Sequence, residues 1–176
     1  AKSHLTPKDI LDATVSARAL YNTAQGERAL EILEAIPKEH RGEEVWLILA
    51  NIYEDKGDTA RAFDALNSAL LVRPGYFRAY YNFGTIYTKK KSYDLAIENF
   101  KLSIKHNRDF PYSHYNLGYC YLQKGEWASA KKSFIKAISL KTDGEDIRDF
   151  YHNLAYAYKM LGQKKQAEKV LKSIAQ

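Results

Sequence analysis

The stretch YYNFGTIY, residues 80–87, returns as HYNLGYCY at 114–121 and as YHNLAYAY at 151–158. In the first copy Tyr80, Phe83 and Tyr87 stand at i, i+3 and i+7, the spacing of one buried face of an α-helix. Asn82 sits beside that face, and Asn116 and Asn153 hold the same place in the later copies. An amide that returns in one register belongs to a repeating unit, so the length of the unit decides the fold.

Anchoring the copies on Ala50, Gly84, Gly118 and Ala155 places them 34, 34 and 37 residues apart. Four positions before each anchor stands a large residue: Trp46, Tyr80, His114 and Tyr151. Just before it come Leu49, Phe83, Leu117 and Leu154, and three after it Tyr53, Tyr87, Tyr121 and Tyr158. Twelve after it is an alanine (Ala62, Ala96, Ala130, Ala167), followed four later by Leu66, Phe100, Phe134 or Leu171. Small residues let two antiparallel helices approach, and large ones fill the space between them.

This unit resembles the tetratricopeptide repeat (TPR) family over residues 43–176, with units near 43–76, 77–110, 111–144 and 148–176. The resemblance implies an all-α fold, a right-handed α-solenoid of antiparallel helix pairs whose first helices line a concave groove. Departures from the family pattern are a closing proline present only as Pro74, His114 in place of an aromatic, and three extra residues at Glu145 to Ile147. Residues 1–42 read as a degenerate, shortened first repeat that caps one continuous solenoid. In TPKDI, Thr6 is the cap, Pro7 the first helical residue and Asp9 the first-turn acid. A second helix from about Glu27 carries Ala29, Leu30, Leu33 and Ile36 on one face and ends before Pro37. Helices are expected at about 7–23, 27–36, 43–56, 59–72, 77–90, 93–106, 111–124, 127–140, 146–161 and 164–175.

In this family the residues two before and one after the small anchor point into the concave groove. Here they are Asn82 and Thr85, Asn116 and Tyr119, and Asn153 and Tyr156; one position earlier stand Tyr81, Tyr115 and His152. Arg78 and Tyr112 join them as candidate partner-binding residues. An asparagine offers an acceptor and two donors, which match the C=O and N–H of an extended peptide. One asparagine per repeat makes a ladder similar to that of long TPR superhelices, and Ile48 interrupts it toward the N-terminus. The two-carboxylate clamp of chaperone-binding members is not reproduced: Asn51 and Asn82 fit, but Leu47 replaces its first lysine, and Tyr112 and Asn116 replace its last basic pair.

Other chemistry is poorly represented. The chain of 176 residues has one cysteine, Cys120, which reads as a small buried residue and excludes an internal disulfide. There is no phosphate-cradling glycine loop, nucleophile elbow or histidine pair at metal spacing, so no enzyme activity and no cofactor are expected. TDGEDIRD (142–149) lacks the ligand spacing of a calcium loop, and acids at a helix start answer to the helix dipole. Residues 1–76 carry a net −3 and residues 77–176 a net +9. KKK (89–91), Lys131, Lys132, Lys164 and Lys165 read as a solvated edge, and sparse arginine in this half argues against nucleic acid as a partner. No run approaches the length needed to insert in a membrane.

The expected function is therefore a scaffold or adaptor that binds an extended segment or helix of a protein partner. Two alternatives keep the architecture: a bacterial TPR lipoprotein similar to the pilotins that assist pilus assembly, or a targeting domain cut from a larger enzyme. Compartment, with cytoplasm and periplasm both open, and oligomeric state are not fixed by these residues.

Overall fold

The structure is a computed structural model that describes residues 4–141 and 143–175. Thr142, first residue of the acidic stretch, and Gln176, last of the fourth unit, lie outside the described residues, as do residues 1–3. Among the described residues there are ten α-helices and no strands: α1 (Pro7–Asn22), α2 (Gly26–Glu34), α3 (Glu43–Asp55), α4 (Thr59–Val72), α5 (Phe77–Lys89), α6 (Tyr93–His106), α7 (Pro111–Gln123), α8 (Trp127–Leu140), α9 (Ile147–Met160) and α10 (Lys164–Ile174). Each lies within about three residues of its expected position. The chain divides into two compact units, Ala1–Ala79 and Tyr80–Gln176.

In the first unit α1 packs on α2 and α3, and α3 on α4. The Thr6 cap forms in full: its hydroxyl accepts from the Asp9 N–H while the Asp9 carboxylate accepts from the Thr6 N–H. Ala29, Leu30, Leu33 and Ile36 are all buried, but α2 stops at Glu34, earlier than expected. Pro37 disfavours helical backbone at Ile36, and a short 3-10 turn (Lys38–His40) follows. Arg41 then closes the end of α2. Its Nε donates to the Ile36 carbonyl at 2.8 Å and its Nη2 to that of Glu34 at 3.2 Å, while the guanidinium lies over Trp46.

In the second unit the helix pairs stack in order, α6 on α7, α7 on α8, α8 on α9 and α9 on α10. Their approach is set by two glycines. A Cβ placed on Gly84 would lie 2.6 Å from Phe100, and one on Gly118 would lie 2.8 Å from Phe134. Both phenylalanines are fully buried, so neither ring has room to retreat. Around them gather Ala96, Ile97, Leu117 and Cys120 on one side, and Ala130, Leu154 and Ala157 on the other. In the first unit the corresponding pair is Ala50 and Leu66, both buried: a smaller partner accompanies a larger anchor.

The turns inside the pairs repeat as closely as the cores. The anchor-plus-three tyrosine accepts a backbone N–H from the residue five positions on, as in Asp58 to Tyr53 (2.8 Å), Ser92 to Tyr87 (2.9 Å) and Glu126 to Tyr121 (2.9 Å). Such a helix end needs one left-handed residue just inside that bond. Gly57 and Gly125 supply it at φ of 77° and 73°, whereas Lys91 is forced to 58°. The last lysine of KKK thus occupies a turn position that favours glycine.

Replacing Gly118 with Leu should overpack the Phe134 contact and destabilise the fold by about 1–3 kcal/mol. The exposed Lys90→Ala should change stability by no more than about 0.5 kcal/mol. Thermal melts of the two variants against the parent chain check this; an unshifted Gly118→Leu melt would contradict the packing described.

Candidate partner-binding face

Ten of the eleven residues expected in the groove lie in the second unit, on the first helices of its pairs: Tyr81, Asn82 and Thr85 on α5, Tyr112, Tyr115, Asn116 and Tyr119 on α7, and His152, Asn153 and Tyr156 on α9. Arg78 belongs to the first unit, exposed, with its guanidinium over the Phe77 ring at 5.1 Å.

The asparagines do not stand alone. Asn116 Nδ2 donates to the Tyr81 hydroxyl at 3.1 Å and to its own helix at the Tyr112 carbonyl, 2.9 Å. Asn153 Nδ2 donates to the Tyr115 hydroxyl at 2.7 Å. Each asparagine therefore grips a tyrosine one repeat back. Those tyrosines are rooted in the core: Tyr81 packs on Phe100 and edge-on to Phe110, and Tyr115 packs on Phe134 and stacks on Phe150 at 4.2 Å and 9°. Burial raises the pKa of both phenols, and for Tyr115 the nearby Asp149 charge adds to it; the asparagine bond pulls each the other way. The signal was present in the sequence as the tyrosine–asparagine dipeptides 81–82 and 115–116, but the partner of each asparagine is the tyrosine of the preceding dipeptide. That offset of one repeat plus one residue appears only when neighbouring first helices are set side by side.

The remaining residues divide into committed and open ones. Thr85 turns back to the Asn82 carbonyl at 2.9 Å. The Tyr112 hydroxyl donates to Asp146 at 2.6 Å, and the Lys141 ammonium lies 5.6 Å from the Tyr112 ring centre and 3.4 Å from the same carboxylate. The Tyr112 bond holds the Asp146 carboxyl below its ordinary pKa and, from the other side, raises that of the phenol. Asp146 is thus engaged as an acceptor across the inserted segment, and its side chain makes no capping hydrogen bond to α9. His152 and Tyr156 are exposed and Tyr119 is half-buried; Trp127, which sequence reasoning passed over, meets Tyr156 edge-on at 6.0 Å.

Cys120 is fully buried with its Sγ 3.4 Å from the Thr88 hydroxyl, and burial raises its pKa, which suits a packing role. His114 is buried and bonds through Nε2 to the Arg108 carbonyl at 2.9 Å. Among the described residues no group of His, Cys, Asp and Glu could hold a metal ion, and no helix is long and apolar enough to cross a membrane.

Removing either end of the Asn153–Tyr115 bond, by Asn153→Ala or Tyr115→Phe, should cost about 0.5–1.5 kcal/mol. The double variant should cost little more than the larger single loss, and strict additivity in chemical denaturation would contradict the pairing. The Tyr115 phenol is harder to ionise folded than unfolded. Its stabilisation is complete below about pH 10 and is lost as pH rises through the folded value, so Tyr115→Phe should flatten the alkaline fall in stability.

Comparison with known proteins agrees with this geometry. Tetratricopeptide repeat models match residues 14–75 and 49–104, 111–143 and 149–174, and a TPR repeat model matches 84–125. Human Tetratricopeptide repeat protein 13 is 29% identical over 143 residues; they make up 81% of this chain but only 16% of that protein, so the chain spans about a sixth of its relative. Among solved structures, MamA from Desulfovibrio magneticus RS-1 superposes with a TM-score of 0.77 at 18% identity, covering 98% of this chain and 96% of its own. MamA of AMB-1 gives 0.71 at 19% identity, covering 95% and 90%. At those identities the likeness speaks for the fold. Repeat matches along the chain, ten helices in antiparallel pairs among the described residues and the glycine-set approach of those pairs agree: the chain belongs to the tetratricopeptide repeat family, as an α-solenoid of the protein-interaction kind.

Proposed function

We propose that the chain is a non-enzymatic adaptor that holds an extended segment of a partner protein along the first-helix face of residues 80–176. The observation that carries this reading is the pair of bonds from Asn116 to Tyr81 and from Asn153 to Tyr115. In each, the tyrosine bond engages Nδ2, and the carbonyl Oδ1 is the group we assign to accept a peptide N–H. Each tyrosine hydroxyl accepts from the asparagine and keeps its own O–H as a donor for a peptide C=O. The working unit is then a tyrosine–asparagine pair. Its rigidity lowers the ordering cost of binding. Asn82 continues the row on α5, Thr85 and Tyr112 brace it, and Tyr119, His152 and Tyr156 add contact area that tolerates many side chains.

Peptides selected from a random library on the immobilised chain provide the test. Changing Asn82, Asn116 and Asn153 together to Ala should leave a helical protein of lower melting temperature. At about 0.5–1.5 kcal/mol per hydrogen bond, affinity should fall by roughly one to three orders of magnitude. Proline substitutions in the peptide should harm binding more than scrambling it, because proline lacks the N–H that each Oδ1 accepts. A folded triple variant that binds as the parent does would contradict the proposal.

A further inference from the structure

A second surface stands apart from the asparagine row. Residues of α6, α7 and α8 enclose an open groove of about 600 Å³ into which none of the asparagines projects. Its apolar part is formed by Leu117, Ile104, Ile135 and the Tyr121 ring, small serines (Ser129, Ser133, Ser139) complete the lining, and the His114 ring is bonded away to the Arg108 carbonyl. Three lysines, Lys101, Lys132 and Lys136, stand exposed along it. No aspartate or glutamate lines the groove, and among the described residues none of the three has a carboxylate within ion-pair distance. Lys132 and Lys136 are one helical turn apart on α8, a like-charge placement that disfavours the isolated helix.

The corresponding groove of the first unit shows what a self-satisfied version looks like. It has Trp46 where His114 stands, covered by Arg41, and it mixes signs: Glu34 and Asp64 line it beside Lys38, Arg41 and Arg61, and Glu34 accepts from Tyr53 at 2.9 Å. In the second unit His114 stands in that place, and three lysines line the groove with no carboxylate among its lining residues.

We infer that this groove docks an acidic segment of a partner protein that inserts one or two large apolar side chains between the lysines. The apolar floor takes the side chain and the rim takes the flanking carboxylates, an arrangement in which charge sets selectivity and burial supplies affinity. Single-stranded nucleic acid fits less well, because the cations are all lysines and the Tyr121 ring, which could stack on a base, already lies under the Lys101 ammonium at 5.9 Å. An anionic membrane fits less well too, since Ile135 is the one lining residue of the groove among the exposed large hydrophobics, which leaves little apolar surface to insert.

The test uses the whole chain and a fluorescein-labelled peptide, Asp-Glu-Leu-Phe-Glu-Asp, followed by anisotropy. Binding should saturate, weaken with added salt, and exceed that of Asp-Glu-Ser-Ser-Glu-Asp. Lys132→Glu with Lys136→Glu should reduce affinity about tenfold, and Lys101→Glu on the neighbouring helix should act in the same direction. Lys164→Glu with Lys165→Glu, which changes net charge equally on α10, should alter it less than about twofold, with circular dichroism confirming that every variant is helical. Equal losses in both double variants, equal binding of the serine peptide, or no saturable binding would overturn the inference. So would lysine-dependent capture of phosphatidylserine vesicles by a chain that ignores the peptide.

Discussion

The contact between a glycine on one helix and a phenylalanine on the next sets the dimensions of the second unit. Gly84 faces Phe100 and Gly118 faces Phe134, each at a distance that admits no Cβ. With the ring seated against bare backbone, the two helices of a pair come closer than ordinary side chains allow. The same rings then support the outer layer: Tyr81 packs on Phe100 and Tyr115 on Phe134. Those tyrosines in turn orient Asn116 and Asn153. A chain of contacts thus runs from a missing methyl group in the core to the polar row on the surface. Where the large partner is Leu66 the anchor is Ala50, and where it is Leu171 the anchor is Ala155. Volume is conserved across the pair.

Much of this was legible in the sequence because it depends on residue type at fixed spacing. The repeat length, the helix pairs from residue 43 onward and the burial of His114 at the large-residue position follow from patterns that the chain carries four times over, while the Thr6 cap and the burial of Cys120 follow from local ones. What escaped reading depends on which atoms meet. The asparagines were expected to offer both donors and acceptor to a ligand, whereas the structure engages donors of Asn116 and Asn153 with tyrosines of the preceding helix. Asp146 was read only with the other acids at the start of α9, and its carboxylate also receives Tyr112 and Lys141. The end of α2 shows a third kind of miss, since the apolar face continues to Ile36 while Pro37 ends the helix before it.

The two surfaces of the second unit divide polar and charged work. On the first-helix face, neutral hydrogen-bonding groups are repeated at regular intervals, an arrangement suited to backbone and tolerant of sequence. In the groove of α6, α7 and α8, lysines stand along apolar and serine side chains, the arrangement we propose takes acidic flanks around a bulky side chain. A solenoid can carry both because its core is only two helices thick, so the residues of each helix that face outward are free to diverge while the anchor and its partner are held.

The central claim is that the anchor glycine and the phenylalanine sixteen residues later act as one unit. A double-mutant cycle at Gly118 and Phe134 tests it most directly, using Gly118→Ala, Phe134→Leu and the pair together, with stability measured by denaturant titration. The intrinsic helical gain of alanine over glycine, about 1 kcal/mol, enters both arms and cancels. The account predicts that the double variant, which reproduces the Ala50–Leu66 combination of the first unit, is more stable than the sum of the single changes by at least about 1 kcal/mol. Additive losses would show that the close approach at Gly118 does not control the packing of this pair, and would contradict the account at its base.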